Sequence, residues 1–198
     1  MGNAAEEREW VRRAREGDHR AYGLLIERHQ ARVYGLVARL LGPGHGAIED
    51  VTQDVFVKAY FSLNKFRGDA SFGTWIYRMA INRARDELRK RSGYVSLEGV
   101  NPESLGGAVE SFFAGLQQEG EPSEPPEELR RLIGRALAAL PEKLRVVAVL
   151  KEIEGHSYTE VSRILKCAVG TVKSRQSQAR RRLREFLEPY MKEKERQD

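Results

Sequence analysis

The chain has 198 residues, 32% charged and 40% hydrophobic, with a formal charge of +5, which suits one large domain or two small ones. Cys167 is its one cysteine, which excludes an internal disulfide or a multi-cysteine zinc site, and His19, His29, His45 and His156 are scattered without ligand spacing. No apolar run approaches the ~18 residues a membrane span needs and no signal peptide precedes the Arg- and Glu-rich N-terminus, so the expectation is a soluble, cytoplasmic protein without metal or other cofactor.

The placement of charge says more than its sum. Residues 1–91 hold 17 basic and 12 acidic side chains, a net of +5. Residues 92–128 hold eight glutamates and no lysine or arginine, a net of −8. Residues 129–198 hold 17 basic and 9 acidic, a net of +8. Two basic blocks around an acidic spacer point to polyanion contacts at both ends.

In chain order, Glu6 to Glu16 reads as a short charged helix with Trp10, Val11 and Ala14 as its apolar side. Gly17 stops it, and Asp18 supplies an N-cap for the next. Helical periodicity then runs through Tyr22, Leu25, Ile26, His29, Val33, Leu36, Val37, Leu40 and Leu41, until Gly42-Pro43-Gly44-His45-Gly46 breaks it. A third helix, Ile48 to Leu63, turns Ile48, Val51, Val55, Ala59 and Leu63 inward and presents Glu49, Asp50, Gln53, Asp54, Phe56 and Lys58 on its other side. The acids suit the helix N-terminus through its dipole. Phe56 follows an inward Val55 and is expected to face partly outward, as an interface aromatic does.

Asn64 to Gly73 reads as a loop, from its two glycines and its Asn, Asp and Ser. Two readings stand for Phe66 and Phe72: they fold back as loop anchors, or they help form a pocket where an unpaired base stacks, worth ~1–3 kcal/mol per base. Thr74 opens a helix running to about Arg91, in which Trp75, Ile76, Met79, Ala80 and Leu88 pack. Tyr77, Arg78, Asn82, Arg83, Arg85, Asp86, Arg89, Lys90 and Arg91 stay on its polar side. Aromatics interleaved with Arg and Asn beside such a loop suit single-stranded nucleic acid. Gly93 to Pro126, rich in Gly, Pro, Ser and Glu, reads as a linker, with Val109 to Leu116 apolar enough for a helical turn or two. It is either a solvated tether or an anionic cord lying in a basic channel meant for nucleic acid.

From Pro126 the pattern is helical again. Leu129, Leu132, Ile133, Ala136, Leu137 and Leu140 form one core face, and Pro141 opens the next helix, with Leu144, Val147, Ala148, Leu150 and Ile153 inward and Gly155 at its end. Ser157-Tyr158-Thr159-Glu160 has capping-box form, followed by Val161, Ile164 and Leu165 on one face. After a break near Lys166-Cys167-Ala168, a longer helix lines one side with Val172, Ala179, Leu183 and Phe186. Its remaining face carries Lys173, Arg175, Arg180, Arg181, Arg182 and Arg184, with no carboxylate before Glu185. Like charges at these spacings repel, so a polyanionic partner is expected, and the plan is that of a helix-turn-helix whose second helix enters a major groove. Glu188 to Asp198 reads as a frayed tail.

The stretches GDHRAYGLLIERHQARVYGLVARLL, EDVTQDVFVKAYFSLNKFRGDASFGTWIYRMAINRARDELRKR, LPEKLRVVAVLKEIEGHSYTEVSRIL and VGTVKSRQSQARRRL resemble, in order and spacing, bacterial RNA polymerase sigma factors of the compact extracytoplasmic-function (group IV) class. The resemblance implies an all-α protein of two small helical domains, residues 1–92 (region 2) and 127–198 (region 4), joined by the flexible acidic linker 93–126. It implies a stress-response transcription initiation factor without enzymatic activity. Its implied partners are promoter DNA, an anti-sigma factor, and core RNA polymerase through the clamp helices of the largest subunit and the flap of the second-largest. Asp50, Gln53, Asp54 and Phe56 would dock on the clamp helices. Lys58, Phe66, Arg67, Gly68, Asp69, Ser71, Phe72, Trp75, Arg78 and Asn82 would capture a flipped base of the −10 non-template strand, and the linker would thread the active-site cleft and RNA exit channel. Thr171, Lys173, Ser174, Arg175, Ser177, Gln178 and Arg181 would read the −35 element.

Two departures from the family's pattern stand out. Ala168 takes the place of a common proline before Val169-Gly170-Thr171-Val172, and Gln176-Ser177-Gln178 replaces an apolar residue, an aromatic or His, and Arg. Glutamine pairs bidentately with adenine where arginine prefers guanine, so a different −35 sequence is expected. Other classes fit less well. An activator or repressor of response-regulator type would carry an α/β receiver or ligand pocket at its N-terminus. A nucleic-acid enzyme would need a metal-binding carboxylate cluster, and Asp50 with Asp54 lacks a third ligand. An RNA-bound structural adaptor would lack promoter preference.

Overall fold

The computed structural model of the protein describes residues 4–90 and 127–192. The linker 93–126, with its Val109–Leu116 piece, and the tail beyond Lys192 lie outside the described residues. Among the described residues there are eight α-helices and no strand, so the chain is all-α as expected. They form two compact units, one of residues 4–90 and one of residues 127–161 with 168–192; Ser162–Cys167 groups with the first.

The first unit is built around its second helix. α1 (Ala4–Arg15) ends at Gly17, whose φ is +94°, and Asp18 caps α2 (His19–Leu41) by accepting the Ala21 N–H at 3.1 Å. α2 packs against α1, α3 (Ile48–Ser62) and α4 (Phe72–Lys90), which is why Tyr22, Leu25, His29, Val33, Leu36, Val37, Leu40 and Leu41 are all buried. Ile26 is only half-buried. Gly42, at φ +98°, ends α2 by donating its N–H to Ala38 O at 3.0 Å, as a left-handed glycine allows.

α3 runs into a 3₁₀ turn, Leu63–Lys65. α4 begins at Phe72, two residues before the Thr74 expected from sequence, because Ser71 Oγ accepts the Thr74 N–H at 3.1 Å and so caps the helix. Phe72 and Gly73 are therefore helical rather than loop. α4 packs against both α2 and α3. Its buried stripe is correspondingly wide and takes in Tyr77 and Ile81, while Met79 and Leu88 remain half-buried. Tyr77 is thus a core residue rather than part of the polar side expected from sequence.

From residue 127 the chain forms α5 (Glu127–Ala139), α6 (Glu142–Ala148) continuing into one π-helical turn, Val149–Ile153, then α7 (Tyr158–Leu165) and α8 (Val169–Lys192). Val146 through Leu150 are all buried, an all-round apolar segment with α8 packed against it. Gly155, at φ +70°, turns the chain, and the expected capping box forms: Glu160 N donates to Ser157 Oγ at 3.2 Å and Ser157 N to Glu160 Oε2 at 2.8 Å. Lys166 takes a positive φ of 50° in the tight turn, where Ser162 Oγ donates to Cys167 O at 2.6 Å. α8 continues through Pro189 to Lys192, so Glu188 to Lys192 is helical where a frayed tail was expected; buried Leu187, 1% exposed, anchors this last part in place of the half-buried Phe186.

Truncating the centre of α2 tests this arrangement. Leu36→Ala, at a fully buried position, should destabilise the first unit by about 2–5 kcal/mol. Leu24→Ala, 36% exposed on the same helix, should stay within about 0.5 kcal/mol, both read from denaturant unfolding.

Candidate nucleic-acid interface

α8 presents two distinct surfaces. One is the stripe Val172, Ala179, Leu183 and Leu187, buried in the unit. On the other, an open hollow of about 590 Å³ is lined by Thr171, Ser174, Arg175 and Gln178, with Gly170 and Arg182 of the same helix and Pro141, Lys143 and Leu144 at the start of α6. Arg175 and Thr171 are half-buried; Ser174, Gln178 and Arg182 are exposed, and Gln178 Nε2 donates to Ser174 Oγ at 3.2 Å. Of the −35 residues expected from sequence, the structure gathers these four. Lys173, Ser177 and Arg181 are exposed on α8 but do not line the hollow, and Arg181 lies 3.8 Å from Glu185. Arg182, expected on the cationic face though not among the −35 readers, joins them, and Lys143 is the addition that sequence did not suggest; only the pairing of α6 with α8 brings Lys143 here, and no local pattern encodes that.

Gln176, which stands where the family carries an apolar residue, is buried like one: it is 4% exposed, donates to Glu152 Oε1 and accepts from the Tyr158 phenol. One expectation from sequence on α8 is corrected. Arg180 is not an unpartnered cation, since Glu152 from the π turn receives its Nε at 2.7 Å and its Nη2 at 2.9 Å. Burial raises the Glu152 carboxyl, but the bonds from Arg180 and Gln176 outweigh it and hold it below the ordinary value, while the same pairing holds Arg180 above its own.

In the first unit, Arg67, Gly68, Asp69 and Ser71 lie exposed in the loop before α4, with Gly68 at φ +79°. Trp75, Arg78 and Asn82 follow at i, i+3 and i+7 on one face of α4, Asn82 exposed and the other two half-buried. Phe66 and Phe72 settle as loop anchors: at 8% and 2% exposure they pack with Trp75 in a three-ring cluster, centroids 5.3 to 6.1 Å apart. Their rings are spent on one another rather than open to a base. Behind Phe72 lies His29, its Nε2 3.0 Å from Glu7 Oε2; that hydrogen bond holds Glu7 below its ordinary value against the opposing effect of burial. Arg15 donates Nε to Leu63 O at 3.2 Å and Nη2 to Phe66 O, tying α1 to the root of the loop.

On α3, Asp50, Gln53, Asp54 and Lys58 are exposed as expected, and Asp54 receives Arg83 Nη2 at 2.8 Å. Phe56 is not. At 7% exposure it belongs to the core, where the Tyr22 phenol donates to its carbonyl at 2.5 Å. The outward aromatic is Phe61, 79% exposed, with Val57 at 55%. Both fall on the helical face of Asp50 and Asp54, at offsets of 7 and 11 from Asp50, a signal the wheel contains but the local motif obscures. Among the described residues no group of His, Cys, Asp or Glu could hold a metal ion, and no helix is long and apolar enough to cross a membrane.

Fold and site together define a helix-turn-helix nucleic-acid-binding protein with a second helical unit. Comparison with known proteins narrows this. The Sigma-70 region 2 family matches residues 25–94, and the Sigma-70, region 4 family matches residues 130–183. The ECF RNA polymerase sigma-E factor of Escherichia coli (strain K12) is 39% identical over 188 residues, covering 92% of this chain and 94% of its own. The RNA polymerase sigma-H factor of Pseudomonas aeruginosa is 34% identical over 193 residues, 95% and 97% of the two chains. Among solved structures, CnrH in complex with the cytosolic domain of CnrY superposes with a TM-score of 0.66 at 28% identity, over 92% of this chain and 97% of that one. The sigma factor RpoE of Bartonella quintana shares the fold, with a TM-score of 0.60 at 23% identity over 84% and 96% of the two chains. The chain belongs to the sigma-70 family of RNA polymerase sigma factors, in its extracytoplasmic-function group. It acts in promoter-directed initiation of transcription.

The Glu152–Arg180 pair has a pH signature. With a folded-state value below the ordinary 4.5, Glu152 contributes stability fully above pH 4.5 and loses it as pH falls through its folded value. Glu152→Gln should therefore lower the melting temperature of the second unit at neutral pH. The gap to the unaltered protein should close as the solution is acidified below pH 4.5, followed by circular dichroism melts across that range.

Proposed function

We propose that this sigma factor meets a promoter at two points, reading the −35 element as duplex through α8 and capturing the −10 non-template strand through α4 and the loop before it. The observation that carries the reading is the hollow on α8, where Thr171, Ser174, Arg175 and Gln178 converge between two further cations, Lys143 and Arg182. Side chains on one helix face can reach base edges in a major groove while the flanking cations hold phosphates. Arg175 suits guanine and Gln178 suits adenine. Lys173, Ser177 and Arg181 are assigned to the edges of the same footprint.

At the −10 element, Lys58, Arg67, Gly68, Asp69, Ser71, Arg78 and Asn82 supply the cations, exposed loop backbone and amide that hold an extruded base and its strand. Trp75, half-buried over the Phe66–Phe72 pair, is the ring left with a surface to offer. Unpairing costs a few kcal/mol, which contacts with the extruded base offset. Core polymerase docks its largest subunit's clamp helices on α3 through Asp50, Gln53 and Asp54, with Phe61 as the apolar element that Phe56 is too buried to be, and its second-largest subunit's flap on region 4. The domains are residues 1–92 and 127–198, and the acidic stretch 93–126 threads the channel that RNA later fills. An anti-sigma factor is a further partner. CnrH was solved with the cytosolic domain of CnrY, and the Bartonella quintana factor with the anti-sigma factor NepR.

Transcription from a randomised promoter library with purified core enzyme tests the whole; starts no more site-selective than core alone would sink it. Two substitutions separate the sites. Asn82→Ala should reduce strand opening, read as permanganate reactivity at the −10 element, while leaving −35 affinity within about twofold. Arg175→Ala should cost about 1–3 kcal/mol of −35 affinity and relax the preference at one base pair, whereas Arg182→Ala should weaken all sequences alike and lower the salt slope by about one.

A further inference from the structure

Position 176 interrupts the stripe on which α8 sits. Val172, Ala179, Leu183 and Leu187 share its face and are at most 6% exposed, and Gln176 between them is 4% exposed. A primary amide in such a place is costly to bury unless both of its ends are bonded. Both are. The Tyr158 phenol donates to Gln176 Oε1, Gln176 Nε2 donates to Glu152 Oε1, and Arg180 closes the relay on both oxygens of Glu152, whose side chain is 6% exposed. Four polar groups thus join the π turn, the first residue of α7 and the middle of α8.

Apolar side chains tolerate some rolling of a helix over its core; a directional relay does not. Each residue step on a helix is about 100°, so a roll of that size would break both bonds to Gln176. It would also carry Thr171, Ser174, Arg175 and Gln178 away from the hollow they line. The phenol that bonds Gln176 also carries Lys173, whose ammonium lies 5.5 Å from the ring centroid. We propose that Gln176 is a positioning residue for reading the −35 duplex: its buried amide, strung between Tyr158 and the Glu152–Arg180 pair, fixes the rotation of α8 and so decides which side chains meet the bases. The inference rests on the assignment of α8 to that duplex.

The test uses holoenzyme assembled with the full chain. The preferred −35 site is first selected from a randomised duplex library, and the affinity ratio between that site and its single-base mismatches is then measured. For the unaltered protein the ratio should be about tenfold or more per mismatch. A ratio near one would remove the −35 assignment and this proposal with it. Gln176→Leu fills the same space without the bonds, and should shrink the ratio to about two- to threefold with helical content and core association unchanged. An unchanged ratio overturns the proposal while leaving the −35 assignment standing.

Gln176→Glu supplies a readout that packing alone would not move. Facing that position are Glu152 from the π turn, Tyr158 from α7 and Arg180 from α8, with Lys151 and Lys173 at the phenol ring. At about pH 8 the new carboxylate opposes Glu152 and discrimination collapses; at about pH 5.5 the protonated carboxyl donates to Glu152 as the amide did, and discrimination returns. A ratio equal at the two pH values overturns the relay. Should both variants fail to fold, Tyr158→Phe removes one hydroxyl and keeps the ring; it should lower the ratio, and an unchanged ratio overturns the proposal equally.

Discussion

The second unit depends on how α8 is held. Its outer surface gathers Lys173, Arg175, Arg181, Arg182 and Arg184 within about three turns, and Arg181 and Arg184, three residues apart, repel each other. Left alone, such a helix is marginal in water. It stands because Val172, Ala179, Leu183 and Leu187 are buried in the unit, to which α6 and α5 contribute, and because Glu152 removes Arg180 from the repelling set. The positive field that a polyanion would relieve is thus stored by an apolar stripe and one buried carboxylate. Function and stability are opposed on the same helix, and packing decides the balance.

A different economy governs the first unit. The buried run along α2 is the hub for three other helices, so α3 and α4 can each devote a whole face to solvent. That is how Asp50, Gln53, Asp54, Val57 and Phe61 come to share one side of α3, and Trp75, Arg78 and Asn82 one side of α4. The three-ring cluster of Phe66, Phe72 and Trp75 fixes where the loop rejoins the helix. Phe66 in the loop and the two rings of α4 thus anchor this segment and leave Arg67, Asp69 and Ser71 exposed.

Much of this was legible in the sequence, for reasons that are local. Gly17 with Asp18, Gly42, and the Ser157–Glu160 box each act within a few residues, so the motif and the geometry coincide. The run Tyr22 to Leu41 carries its own periodicity. What escaped depends on neighbours distant in sequence. Phe56 reads as outward beside Val55, but α4 packs on α3 as α2 does, which widens the buried arc enough to include both. The same widening draws Tyr77 inward. The bonds that let the Gln176 amide be buried are equally distant: its partners, Glu152 and Tyr158, lie 24 and 18 residues away. Lys143 reaches the hollow only through tertiary packing. The linker's acidity was plain from composition, whereas composition carries no register.

Arg15 belongs to α1, before residue 25, where the match to region 2 begins. Its guanidinium nonetheless holds the carbonyls of Leu63 and Phe66 at the start of the loop that leads into α4. A substitution at Arg15 in the leading helix can therefore change how the loop before α4 is held without altering any residue of that loop.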